Sequence, residues 1–221
     1  MCMIKFGVPC PATTVASVHG HTILDMCCGS RMFWLNKKDK RAVFTDIRCE
    51  HHTLCDGRKL HIMPDVIADF RALPFADGSF SQVIFDPPHL MRVGKKSWMG
   101  KKYGALNRET WQDDIRQGFS EAFRVLRPQG TLVFKWNETQ IPVSMIIALT
   151  PQQPSIWQRT GKADKTHWLL FLKDSQEMSA TEKAISVLMV RADALRKEGL
   201  LAEADAISYA LSLLKEDTEN A

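Results

Sequence analysis

Four short apolar runs, each closed by an aspartate, constrain this chain more than any other feature of its 221 residues. They are Thr22 to Met26 with Asp25 at its end, Ala42 to Thr45 ending at Asp46, Asp65 to Ala68 ending at Asp69, and Val83 to Phe85 ending at Asp86. Apolar runs of this length, bounded by turn residues, read as buried strands. Thr110 to Leu126 then reads as an amphipathic helix, with Trp111, Ile115, Phe119, Ala122 and Phe123 on one stripe. Pro128 and Gly130 mark its exit. Thr131 to Trp136 is a fifth strand, Ile141 to Leu149 a short helix, and Ser155 to Arg159 with His167 to Lys173 a final strand pair. Arg31 to Lys40 is expected as one further short helix, and Arg48 to Pro64 as polar loop. Such alternation specifies an α/β fold, with a doubly wound, mostly parallel sheet, helices on both faces and a closing antiparallel strand.

This body occupies residues 1–174, of which 1–20 read as an irregular lead-in. Residues 175–221 read as a C-terminal helical hairpin. Ser179 and Glu182 form a capping box, Ile185, Leu188, Ala192 and Leu195 follow at heptad-like spacing, and Gly199 is the stop. A second helix carries Ala204, Ile207, Leu211 and Leu214. Two such helices are too small to be stable alone, so they pack on the body or on a second copy of the chain, as a homodimer. The longest plainly apolar runs, such as Met145 to Leu149, are far too short to span a bilayer, and the N-terminus lacks the basic and apolar regions of a signal peptide. The expectation is a cytoplasmic protein with no membrane partner and with its six cysteines reduced. The net charge of +4 divides unevenly. From Ser175 onward 5 Lys+Arg face 9 Asp+Glu, which leaves 24 against 16 in residues 1–174. A basic body favours an acidic partner such as nucleic acid.

Ligands of open α/β sheets collect at the carboxyl ends of the strands, where these aspartates lie. An acid after the second strand, Asp46, suits the two hydroxyls of a ribose, because an ionised carboxylate only accepts hydrogen bonds. The first turn offers Gly29 alone, without the further glycines a pyrophosphate needs, so a nucleoside without phosphates fits better than a dinucleotide. The competing reading is that strand-end aspartates cap helices and form turns. At the fourth strand, Asp86, Pro87, Pro88 and His89 make a rigid turn holding a carboxylate, a free carbonyl and an imidazole. Between His89 and Trp111 runs a long connection with Arg92, Lys95, Lys96, Lys101, Lys102 and Arg108 interleaved with Trp98 and Tyr103, a pairing suited to phosphates and unstacked bases. Lys135 and Trp136 end the fifth strand, where they either line a substrate pocket or pack. Cys49, His51, His52 and Cys55 match no standard zinc spacing and are read as an unmetalled loop.

In their order, TILDMCCGS, AVFTD, DVIADF, FSQVIFDPPH and FRVLRPQGTLVFKW resemble the class I S-adenosylmethionine-dependent methyltransferases, over roughly residues 20–174. More narrowly they resemble the small phage and prophage proteins described as class I or DNA methyltransferases. That resemblance implies a Rossmann-like domain with S-adenosylmethionine as cofactor. Asp25, Cys27 and Gly29 would lie against its methionine part, Asp46 on its ribose, and Asp69 and Phe70 on its adenine. Asp86, Pro87, Pro88 and His89 would be the catalytic turn of enzymes that methylate planar amino groups. The substrate would be a nucleobase amine, adenine N6 in DNA first, held by Lys95, Lys96, Trp98, Tyr103, Lys135 and Trp136. The alternatives are an RNA or protein-amide N-methyltransferase, or a nucleic-acid-binding protein without turnover. Two departures stand out: DMCCG replaces a glycine-rich first loop, and His89 stands where Tyr, Phe or Trp is usual.

Overall fold

The computed structural model describes residues 21–94, 97–174, 188, 192, 195–196 and 199–219. The lead-in, Lys95, Lys96 and the capping box at Ser179 lie outside these residues. Five strands run parallel in the spatial order β5 (Val66–Ile67), β2 (Ala42–Asp46), β1 (Ile23–Asp25), β6 (Phe80–Phe85) and β7 (Leu126–Asn137). Beyond β7, β9 (Thr166–Leu172) pairs antiparallel, and β8 (Ile156–Thr160) pairs antiparallel to β9 at the edge. The chain leaves β1 for β2 and β5 on one side and returns to β6 and β7 on the other. That reversal opens a crevice above the carboxyl ends of β1 and β6.

Strand alternation decides which residues face it. Along β7, Leu132, Phe134 and Trp136 are buried on one face, while Thr131, Val133 and Lys135 lie on the other. Lys135 is paired across the ladder with Trp168 of β9, which puts the two on the same face. The buried face of β6 and β7 meets α2 (Trp111–Val125), and Phe119 packs 5.5 Å from Phe85 and 4.8 Å from Phe134 between ring centroids. Gly118 lets this helix approach the sheet, since a Cβ there would stand 2.6 Å from Phe85 Cζ and 2.8 Å from Phe70 Cδ2. Gly118→Ala is therefore expected to destabilise the fold despite the gain of about 1 kcal/mol in helix propensity. Overpacking costs about 1–3 kcal/mol, and Phe85 is fully buried and cannot yield. A urea midpoint equal to or above the parent's contradicts this.

Three connections differ from the sequence expectation. Arg31 to Lys40 is a wound loop and not a helix: Arg31 takes φ +55°, outside the right-handed region. Its guanidinium donates to the carbonyls of Lys37 and Met63 and to Asp65, and lies 3.8 Å over the Phe44 ring. The polar interval 48–64 contains a hairpin, β3 (Glu50–Thr53) with β4 (Lys59–Ile62), turned at Gly57 with φ +81°. Residues 26–79 thus carry no helix, and the expected helices on both faces are reduced there to loop and hairpin. The long connection after His89 contains a short helix, α1 (Trp98–Tyr103), capped by Ser97. The expected helix Ile141 to Leu149 shortens to α3 (Val143–Ile147) behind Pro142.

The chain divides into two units, 1–175 and 176–221. In the second, α4 (Leu201–Glu219) follows a turn at Gly199, and Arg196 donates to Ser208 Oγ from the helical stretch before it. No helix of the described residues is long and apolar enough to cross a membrane.

Candidate active site

The crevice is a cleft of about 410 Å³ whose walls come from the ends of β1, β2, β6 and β7. Asp25, Cys27, Gly29, Asp46, Phe70, Asp86, Pro87, Pro88, Tyr103 and Lys135 all line it, so residues from six separate stretches of the sequence meet here. The carboxylates have different surroundings. Asp25 is 2% exposed and accepts from Trp34 Nε1 at 2.7 Å and from the Cys27 amide at 3.3 Å. Asp46 is 5% exposed and accepts four bonds: from the Gly29 amide at 3.0 Å, and from the Arg48 amide, Nε and Nη2 at 2.9, 3.1 and 3.2 Å. Arg48 also donates to the Lys101 carbonyl at the end of α1, tying that helix to the strand edge.

Asp69 departs from expectation. Its carboxylate is held by Arg71, which binds Asp114 as well, and this pairing keeps Asp69 below the usual carboxylate range. Asp69 does not line the cleft, whereas Ala68 and Phe70 on either side of it do. Here the turn-forming role of a strand-end aspartate wins.

At the end of β6, the strand beside β1, Asp86 accepts from Lys135 Nζ at 2.8 Å. The ammonium also faces the rings of Phe33 and Trp168, at 5.9 and 5.8 Å, and these rings stand 5.0 Å apart. Trp136 corrects the sequence reading: it is 1% exposed, its indole N–H is spent on the Ile141 carbonyl, and it stacks on Phe134. Adjacent strand residues point to opposite faces, so Lys135 and Trp136 cannot both face the substrate. His89 is displaced from the wall as well. It packs between Tyr103 at 5.5 Å and Trp136 at 6.3 Å, and of these three rings only Tyr103 lines the cleft. Trp98 is 44% exposed beside Lys102, away from this cleft. Arg48, Phe33 and Trp168 line the site without having been singled out for it, and Lys102 of the basic connection lines it too.

Burial, with smaller contributions from Asp86 and Asp46, raises Asp25 from 3.8 to about 7. Burial likewise raises Cys27 and Cys28, so both thiols stay protonated and are no nucleophiles at neutral pH. His89 is lowered by burial, an effect Asp86 opposes, so its imidazole is neutral at pH 7. For Asp25 the folded state holds its proton more tightly than the unfolded chain does. Its contribution to stability is complete below about pH 4, declines as pH rises towards 7, and is constant above, each pH unit of that window being worth up to about 1.4 kcal/mol. Between pH 5 and 7.5 the urea midpoint of Asp25→Asn should therefore fall less than the parent's. Equal falls would place the proton elsewhere.

The hairpin β3–β4 brings His51 opposite His61 and His52 onto Glu50. Among the described residues no group of three or more His, Cys, Asp or Glu is arranged to hold a metal ion.

No family model matches the sequence, and no curated protein matches it. Among solved structures the chain is similar to the PH0226 protein of Pyrococcus horikoshii, at 15% identity over 69% of this chain and 82% of that one, with a TM-score of 0.46. It is similar to a SAM-dependent methyltransferase of Methanosarcina mazei, at 11% over 70% and 93%, TM-score 0.43. The N-methyltransferase NodS of Bradyrhizobium japonicum is a third, at 14% over 72% and 90%, TM-score 0.44. Likeness at this level assigns no activity. The strand order, with β9 the one strand of the described sheet that runs against the others, makes the sheet itself Rossmann-like, with its crevice between β1 and β6.

Proposed function

We propose that the chain transfers a methyl group from S-adenosylmethionine to the exocyclic amino nitrogen of a nucleobase, adenine N6 in DNA before others. The observation that carries this reading is the ion pair Asp86 and Lys135 in the same cleft as Asp25 and Asp46. The cleft suits a nucleoside: Asp46 offers acceptor oxygens for a diol, and Met26, Ile47, Ala68 and Phe70 supply apolar wall. Asp46 would take the ribose hydroxyls, and the Asp25 to Gly29 turn the methionine part. Bound there, the cofactor supplies an electrophilic methyl.

The chain's own residues do the rest. An exocyclic amine is a poor nucleophile because its lone pair is delocalised into the ring. Asp86 and the Pro87 carbonyl each accept one amino proton, which favours a pyramidal nitrogen and aims its lone pair. Lys135 beside Asp86 presents a donor next to an acceptor, the complement of an amino group whose neighbouring ring nitrogen accepts, as in adenine and cytosine. A site with both partners in place discriminates strongly against a substrate lacking one. Tyr103, braced by His89, offers the ring on which the base stacks. Position and exclusion of water then supply most of the rate.

The test is incorporation of tritiated methyl into single-stranded DNA, duplex DNA, RNA and protein, followed by nucleoside analysis. Label in N6-methyladenine from DNA is the expected result. Label confined to RNA or to a side-chain amide, which presents the same donor and acceptor, moves the substrate. Absence of label from every substrate, with no cofactor bound, overturns the reading.

A further inference from the structure

Next to the cleft lies a second, larger depression of about 820 Å³, between the loop after β1, the hairpin β3–β4 and α1. Gly29, Ser30, Met32 and Lys102 belong to both, so the two are continuous. Its charge is one-sided. Arg31 is neutralised by Asp65 and Arg58 by Asp56, but Lys37, Lys38, Lys59 and Lys102 meet no carboxylate among the described residues. Lys37 and Lys59 donate to the Ser30 carbonyl and the Thr53 hydroxyl, contacts that orient their ammonium groups and leave the charge in place. The same groove carries Trp98, an indole left 44% exposed.

One short helix connects groove and cleft. Trp98 and Lys102 stand four residues apart on α1 and so share a face. The Lys102 ammonium lies 5.5 Å from the Trp98 ring and 5.0 Å from the Tyr103 ring. Trp98 lines the groove, Tyr103 lines the cleft, and Lys102 stands between them. An exposed ring, a cation and a second ring, approached along a lysine-lined groove, are the parts that hold an unpaired strand: phosphates on the cations and bases on the aromatic faces.

We propose that this groove holds a single strand of nucleic acid, with phosphates on Lys37, Lys38 and Lys59, one base on Trp98, and the neighbouring nucleotide passing Lys102 into the cleft. The proposal rests on the base-modifying reading for its direction, but its test does not, because binding is measured without cofactor or turnover.

The experiment is fluorescence anisotropy of a labelled oligothymidylate across a salt series, for the full chain and two variants that retain the parent's circular dichroism. In the Lys37→Gln, Lys38→Gln, Lys59→Gln variant the slope of log K against log salt should become shallower by about 2, at ~0.7 for each lost contact with a single strand. Trp98→Leu should weaken binding ~10-fold with the slope unchanged. A parent slope kept by the triple variant overturns the proposal. So does a duplex of equal length bound as tightly through the same lysines, or competition by polyglutamate at equal charge concentration. If the strand binds as expected and no methyl is transferred to any substrate, the catalytic reading fails and the groove stands.

Discussion

Asp86→Ala is expected to slow methyl transfer by at least ~10-fold, and by as much as ~100-fold, while cofactor affinity stays close to the parent's. Asp86 would accept a proton of the amine that reacts, and a hydrogen bond to a charged group is worth about 1.5–3 kcal/mol. Each 1.36 kcal/mol added to the barrier is tenfold in rate. The loss should fall on kcat, because a pyramidal amine is favoured only as the new bond forms and the ground-state amine is flat. The variant also strands Lys135, whose ammonium at present binds Asp86 between the rings of Phe33 and Trp168. Asp86→Asn separates the two effects: it keeps an acceptor oxygen and discards the ion pair, and should fall between parent and alanine. Single-turnover rates with saturating cofactor are the measurement. Transfer by Asp86→Ala within twofold of the parent would remove Asp86 from the chemistry, whatever its place in the cleft.

The strand-end aspartates could be found in the sequence because each ends an apolar run, and three of the four face the cleft. The fourth, Asp69, was indistinguishable from them by that signal. A finer signal was present. Asp39 with Arg41, Asp46 with Arg48, Asp56 with Arg58 and Asp69 with Arg71 repeat one spacing, and in each the aspartate accepts from both the amide and Nε of the arginine two residues on. This is a local turn closed by its own ion pair, and it marks each arginine partner, Arg48 among them, which no strand pattern marks. It does not separate Asp69 from Asp46, which carries the same turn and lines the cleft; the second partner of Arg71, Asp114, is a tertiary contact.

Other misses have similar causes. A short helix is expected over 31–40, but the side chains of Arg31 and Trp34 bind Asp65 and Asp25. Tertiary partners overrode propensity there. Phe33 and Trp168 reach the cleft from a loop and from an antiparallel strand, and only the register of β9 on β7, with Trp168 opposite Lys135, brings the second to the site. The resemblance places His89 in the catalytic turn, where an aromatic residue is usual. The fold puts Tyr103 in front of it, on a helix that begins nine residues later.

Asp46 and Arg48 carry the other large expectation, and the two should respond differently. If Asp46 takes both ribose hydroxyls, two hydrogen bonds to a charged acceptor are lost in Asp46→Ala. At about 1.5–3 kcal/mol each, affinity for S-adenosylmethionine should then fall ~100-fold or more in calorimetric titration. Yet Asp46 already accepts four bonds, two of them from the Arg48 guanidinium, so a diol must displace that side chain. Arg48→Ala removes the competitor and leaves the amides of Gly29 and residue 48 in place. Its affinity should equal or exceed the parent's, with the rate of binding raised. The release also reaches α1, because Arg48 is the tie to the Lys101 carbonyl. Asp46→Asn is the control for bracing, since it keeps an acceptor for the Gly29 amide but not the charge. An Arg48→Ala loss as large as that of Asp46→Ala would mean that the ion pair holds the cleft open and that the ribose is bound elsewhere.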